Sequence, residues 1–185
     1  IGHPKKWLDV DDLMTSITDG EYGENISFFD INLRVLKYEK DEEWNKIGRD
    51  VNYNKWNMFP YTVNAYYSPL KNQMVFPAAI LQKPFYQDGD VISNYGGIGT
   101  VIAHEMTHAL DDSGKNFNYE GKFINWWTEK DSKNFENKTK ELVKQFNSYK
   151  IDGINLNGEL TKGENVADLG GVAIALNALE NELNV

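Results

Sequence analysis

Residues 104–108 read His-Glu-Met-Thr-His, and two of the chain's three histidines stand in this run. On a helix, residues four apart share one face, with Cβ atoms about 5–6 Å apart. Two imidazoles placed this way can hold one Zn²⁺ at about 2.0–2.1 Å from each ring nitrogen. Glu105 falls on the neighbouring edge. From there it can reach a water at the metal rather than the metal itself, which is the position of a general base.

A catalytic zinc site usually takes three protein ligands and a water. The extension H-x-x-G-x-x-H fails here, because position 111 is Asp and position 114 is Gly. His3 is the remaining histidine and sits in an apparent terminal segment, and there is no cysteine. The third ligand is therefore expected to be a carboxylate. Glu164-Asn165-Val166-Ala167-Asp168 offers two carboxylates one helical turn apart on one face. One can bind zinc, and the other can accept the free ring N–H of a zinc histidine and fix its tautomer. Gly163, Gly170 and Gly171 leave room for a neighbouring helix. Thr161-Lys162-Gly163-Glu164 also fits a capping box. Taken alone, the segment favours that cap; the histidine pair, lacking a third histidine, reverses the preference.

Those residues need elements to position them. Residues 5–18 and 25–47 carry apolar residues at mostly helical spacing, broken at Asp19-Gly20 and Gly23. Residues 61–67 and 72–80 are strand-like, with Ser68-Pro69-Leu70-Lys71 turning between them as a hairpin. Pro77 favours an edge or a strand end. Tyr95-Gly96-Gly97-Ile98-Gly99 leads into an apolar helix over about 98–111. A second, amphipathic helix spans 128–148 with Thr128 as N-cap. Residues 151–160 read as a short strand or turn, and a last helix starts near Thr161 and runs toward 182. Helices outside a small strand region predict α+β.

Composition narrows the class. The 185 residues carry a net charge of −9, which argues against nucleic acid and anionic membranes as main partners. No apolar run approaches the ~20 residues that span a bilayer. Without cysteine, disulfides and thiolate metal sites are excluded, so a metal must sit on His, Asp or Glu. The chain has 17 lysines and two arginines, Arg34 and Arg49, which leaves few candidates for a bidentate carboxylate clamp. It opens on Ile1 without a signal-peptide pattern, so it is expected to be cut from something longer. Asn25-Ile26-Ser27 and Asn137-Lys138-Thr139 match glycosylation sequons, in a chain rich in Asn.

With these motifs in place, the chain resembles the neprilysin-like zinc endopeptidases, the M13 family of gluzincins, including its bacterial oligopeptidases. The resemblance rests on Val101 through His108, Asp111-Asp112, Asn125-Trp126-Trp127-Thr128 and Gly163 through Asp168. Upstream it includes Val63-Asn64-Ala65-Tyr66-Tyr67, Asn72 through Ala78, and Asn94 through Gly99. It implies a zincin-like (thermolysin-like) metallopeptidase core of α+β class, mostly helical, with a small edge-exposed sheet. A helical segment over 1–60 would lead into a catalytic core over 61–185. One Zn²⁺ per chain would be held by His104, His108 and Glu164. Glu105 would activate water, and Asp168 would orient a zinc histidine, with His104 the one expected. Asn64 and Ala65 would present a strand edge to the substrate backbone. Ile80, Phe85 and Val101 would line the pocket for the apolar residue after the scissile bond, although ordinary core packing also accounts for such residues.

The resemblance also implies parts this chain lacks. Family members continue past the Glu-Asn-x-Ala-Asp helix and supply a histidine for the tetrahedral intermediate and an arginine for the substrate. A large N-terminal helical region encloses their cavity. The expectation is a truncated catalytic-domain fragment whose partners are peptide substrates and the missing N- and C-terminal parts of its own protein. Contact with nucleic acid, or with a membrane from this fragment, is not expected. Alone, it should be nearly inactive. Two rivals stand beside this: a non-catalytic zinc-binding or interaction module, and a metal-free helical fragment with half-buried histidines. The absence of cysteine together with the Asn/Lys bias resembles bacterial members of the family, many of them intracellular, which implies a cytoplasmic location, or an extracellular or cell-surface one if a signal or anchor was removed.

Overall fold

A computed structural model describes residues 1–4, 14–15 and 26–183 of the chain. They divide into two units, Pro4–Asn57 and Ile1–His3 with Met58–Val185. The helix expected over 5–18 and the break at 19–23 lie outside the described residues, apart from Met14 and Thr15.

In the first unit, helix α1 spans Phe28–Trp44. Ser27 caps it by accepting the Asp30 N–H at 3.1 Å, which satisfies one of the first-turn donors that a helix leaves orphaned. No described residue of α1 is buried. On the exposed face of α1, Lys37 pairs with Asp41 at 2.6 Å, and Lys46, just past its end, pairs with Glu43; such exposed pairs contribute little.

The second unit begins with a hairpin. Strands β1 (Tyr66–Ser68) and β2 (Gln73–Val75) pair antiparallel, Tyr66 opposite Val75 and Ser68 opposite Gln73. Both are shorter than the alternating pattern suggests, and Ser68 belongs to the strand. The turn lies beyond it, with Asn72 taking a left-handed φ of 43°. Pro77, which has no N–H to donate, ends the ladder, and Ala78–Ile80 coil into a 3₁₀ turn instead of continuing the strand. Gly2 docks beside it, donating to Phe76 O and accepting from Ala78 N, both at 2.7 Å. Ala65, Phe76, Ile80 and Ile98 form the buried core, with Met74, Leu81, Phe85 and Val101 packed against them.

The helix that carries the histidines starts earlier than its apolar run. Asp90 caps α2 (Val91–Asn94) through the Ser93 N–H. Tyr95–Gly99 then widens into a π turn, α3 runs Thr100–Thr107, and His108–Leu110 closes it as a 3₁₀ turn. The glycines that read as a helix break are what the π turn needs. The Ile98 N–H bonds to Phe85 O at 2.8 Å, and a Cβ on Gly97 would lie 2.4 Å from that same carbonyl. The passing loop and the widened turn require each other.

Helix α4 spans Glu129–Ser148, capped by Thr128 as its sequence indicates. A two-residue hairpin follows, β3 (Lys150–Ile151) with β4 (Ile154–Asn155). Helix α5 runs Lys162–Leu183 and packs on α3. Its glycines set how closely. A Cβ on Gly171 would meet Thr100 O at 3.0 Å and His104 N at 3.1 Å, and one on Gly170 would meet the Thr107 side chain at 2.6 Å. The class is α+β, mostly helical, with two small antiparallel hairpins. Among the described residues no helix is long and apolar enough to cross a membrane.

In an open helix, replacing glycine gains up to about 1 kcal/mol in propensity. At Gly171 the backbone of α3 blocks that gain. Gly171→Val should lower the unfolding free energy by about 1–3 kcal/mol through overpacking. Gly96→Ala, where an added Cβ meets open space, should leave it level or raise it. Urea denaturation of the two variants checks the contrast.

Candidate metal centre

Helix α3 places His104 and His108 on one face, rings edge to face with centroids 4.6 Å apart. Their Nε2 atoms are 3.0 Å from each other. The first turn of α5 brings Glu164 Oε2 to 3.3 Å from His104 Nε2 and 3.5 Å from His108 Nε2. Both rings are held from behind: His104 Nδ1 lies 2.8 Å from Asp168 Oδ1, and His108 Nδ1 lies 2.7 Å from Asp111 Oδ2.

This arrangement can be tested against a divalent cation. Each Nδ1–H donates to a carboxylate, so each Nε2 is left as an acceptor. Two Nε2 lone pairs and a carboxylate oxygen then converge with no donor between them. One proton could bridge the histidine pair, at the cost of charging an imidazole. A metal ion satisfies all three acceptors at once. Tetrahedral Zn²⁺ with ligands at about 2.0–2.1 Å separates them by about 3.3–3.4 Å. The three separations of 3.0, 3.3 and 3.5 Å bracket that value, and the nitrogen–oxygen donor set suits zinc. The residues fit the ion.

Glu105 sits beneath this cluster, 5% exposed. Burial pushes its carboxyl above the ordinary pKa, against the pull of His108, His104 and a backbone hydrogen bond from Tyr67. Its Oε2 is buried with no hydrogen-bond partner, an acceptor in want of a donor.

Asp111 is the residue that reasoning from the sequence left without a task. Besides His108, it accepts the N–H of Ser113 at 2.8 Å and of Gly114 at 2.6 Å. Burial alone would raise its pKa; the hydrogen bonds from His108, Gly114 and Ser113 outweigh that and hold the carboxyl below its ordinary value. The Asp111 bond in turn holds the His108 imidazole above its ordinary pKa, with burial opposing and Glu164 adding to it. The signal was present as a carboxylate three residues after a histidine, followed by Gly114. A Cβ there would lie 1.9 Å from His108 O, so only glycine admits the turn that folds Asp111 back.

Thr161 and Glu164 do not form the capping box. Asn165 Nδ2 donates to Thr161 Oγ1 at 2.8 Å, and Glu164 turns to the histidines. Of the expected peptide-binding residues, Asn64 and Ala65 precede β1 and lie outside its ladder. Asn64 is exposed with its N–H given to Thr62 O, whereas Ala65 is buried. Ile80 is core, and Phe85 and Val101 pack against it. A groove of about 400 Å³ lies elsewhere, lined by Trp126, Trp127, Asp131, Asn134, Phe135 and Lys138. It contains none of the candidate site residues. In the second sequon, the Thr139 hydroxyl donates to Phe135 O at 3.0 Å within α4.

The two carboxylates behind the histidines differ in environment: the Asp111 side chain is 9% exposed and that of Asp168 75%. Removing a buried acceptor strands its donors, which costs about 1–3 kcal/mol or more when the group is charged. Asp111→Ala should therefore destabilise the metal-free chain by about 2–3 kcal/mol, and Asp168→Ala by under about 1 kcal/mol. Thermal unfolding in the presence of a chelator measures both.

With this geometry in hand, comparison with known proteins is informative. The model of peptidase family M13 matches residues 64–185. An endothelin-converting enzyme homolog of Locusta migratoria is 43% identical over 179 residues, covering 96% of this chain and 24% of that protein. A neutral endopeptidase of Lactococcus lactis subsp. cremoris is 42% identical over 186 residues, covering 100% of this chain and 28% of the other. Among solved structures, the Mycobacterium tuberculosis zinc metalloprotease Zmp1 in complex with an inhibitor superposes with a TM-score of 0.86 at 38% identity. That match covers 99% of this chain and 28% of Zmp1. PepO from Lactobacillus rhamnosis HN001 gives 0.82 at 33% identity, over 96% and 28%. The chain thus spans about a quarter of the length of these relatives. Its α+β architecture is zincin-like, and the chain belongs to peptidase family M13.

Proposed function

We propose that this chain supplies the metal-holding and water-activating part of a zinc endopeptidase that cleaves short peptides. The observation that carries the reading is the convergence of two histidine Nε2 atoms and Glu164 Oε2 within 3.0–3.5 Å, beside a buried glutamate with an orphaned oxygen. The names of the relatives, a zinc metalloprotease and a neutral endopeptidase, support the ion and the reaction class.

His104 and His108 would hold one Zn²⁺ through Nε2 and Glu164 through Oε2. When bound, the ion supplies Lewis acidity toward a water and a peptide carbonyl. The chain's own residues do the rest. Asp168 and Asp111 keep the proton of each imidazole on Nδ1, so that Nε2 stays free to ligate. Glu105 Oε2 takes the proton of the attacking water and can pass it to the departing amide nitrogen. Exposed Asn64, just ahead of β1, would offer its side-chain amide to a peptide laid alongside the strand. Phe85 and Val101, half-buried over Ile80, offer apolar surface to a side chain of that peptide.

Two measurements test the reading. One Zn²⁺ per purified chain should bind, and at a hundredfold excess over Kd it should add about 2.7 kcal/mol to stability, an increment that a chelator removes. In the full-length protein, Glu105→Gln should keep the zinc and lose about 10²–10⁴ in hydrolysis rate; hydrolysis at the unsubstituted rate would overturn the mechanism. The chain on its own should turn over at least ~10²-fold more slowly than the full-length protein. Loss of a single oxyanion donor costs that much. Robust, chelator-sensitive cleavage of a short peptide by the chain alone would contradict this.

A further inference from the structure

Glu164 is the one proposed ligand that neither burial nor a local partner locates. Its side chain is 68% exposed, and among the described residues its carboxylate meets only the two histidines. Where it points follows from where the first turn of α5 is placed. That turn, with Glu159 just before it, packs against Asp111 and Asp112, and Glu164 and Asp168 bring two more carboxylates to the same place.

Among the described residues, Lys162 is the cation ion-paired within this crowd. Lys162, the first residue of α5, has its ammonium ion-paired with Glu159 and 3.8 Å from Asp112 Oδ2. Its side chain is only 19% exposed. Glu136 of α4 adds its charge to the same surroundings. Next to it, Gly163 packs where an added Cβ would lie 2.9 Å from Asp112 Oδ1 and 3.4 Å from Asp111 Oδ2. A side chain there would push α5 away from the aspartate pair.

We infer that Lys162 is a positioning residue for the metal centre, clamping the start of α5 to Asp112 so that Glu164, two residues on, is delivered to the histidines. Asp111 and Asp112 then divide the work between neighbours: the first anchors His108 on α3, and the second anchors the helix that carries the third ligand. The inference rests on the metal-centre reading and adds to it a contact that touches no ligand directly.

The test uses the purified chain with Zn²⁺ affinity measured by competition against a chromogenic chelator, and the d–d spectrum of bound Co²⁺ as a report on ligand geometry. Lys162→Met should weaken Zn²⁺ binding about three- to tenfold, below the ~10–100-fold typical of groups bonded to a ligand, and should shift the Co²⁺ spectrum. Lys162→Arg should restore both. Asp112→Asn should lose as much as Lys162→Met, and the double variant should lose no more than either single one. If Lys162→Met does not fold, Asp112→Asn reads the same pair from the other side. Unchanged affinity and spectrum in Lys162→Met, or two losses that multiply in the double variant, would overturn the clamp alone. Absence of Zn²⁺ binding by the unsubstituted chain would overturn the metal-centre reading and the clamp with it.

Discussion

Three hydrogen-bond acceptors pointing at one another is the constraint on which the rest of this structure depends. Unrelieved, the convergence of His104 Nε2, His108 Nε2 and Glu164 Oε2 is repulsive. The protein maintains it by spending each imidazole's only proton on the far side, against Asp168 and Asp111. Had either histidine carried its proton on Nε2, the cluster would close on itself as an ordinary hydrogen-bonded pair. The two aspartates, by fixing the tautomers, leave a polar cluster with the acceptors that a cation would satisfy.

Holding that convergence requires two helices at short range, and the glycines of α5 provide it. Gly171 sits against the backbone at Thr100 and His104, and Gly170 against Thr107. Successive turns of one helix thus rest directly on the helix that carries both imidazoles. The same approach brings five carboxylates, Glu105, Asp111, Asp112, Glu164 and Asp168, into one neighbourhood of a chain with net charge −9. Packing and electrostatics oppose each other there. Close packing wins because the apolar contacts and backbone seating of α3 on α5 are short-range and numerous, whereas exposed carboxylates such as Glu164 and Asp168 are largely screened by solvent.

How much of this could be read from residues alone follows the same division. Motifs whose geometry is set within one element were legible: the i, i+4 pair on α3, the Glu164–Asp168 spacing on α5, the Thr128 cap and the glycines between the helices. Features set by contacts between distant segments were not. The start of the histidine helix at Val91 was hidden because Gly96, Gly97 and Gly99 look like a break, and only the Phe85 carbonyl explains why they are a π turn. The second strand was overestimated because its apolar run continues past Pro77 to Ile80, whereas the ladder ends at Val75. The tie between Asp111 and His108 depends on a tight turn that only Gly114 permits, a backbone fact that residue spacing does not express.

Four carboxylates at this cluster show how one functional group is sorted into separate tasks by its surroundings. Asp111 is buried but meets three donors, so its charge is favoured and it serves as a fixed anchor. Glu105 is equally buried but keeps one oxygen without any donor, and burial raises its pKa. A group in that state takes a proton more readily than an ordinary glutamate does. Glu164 and Asp168 stand in solvent, where the charge needed for a ligand or a tautomer anchor is stable at little cost. Exchanging a buried environment for an exposed one would defeat the arrangement. An exposed Glu105 would be a weaker base, and a Glu164 buried without donors would resist the negative charge that a cation site requires.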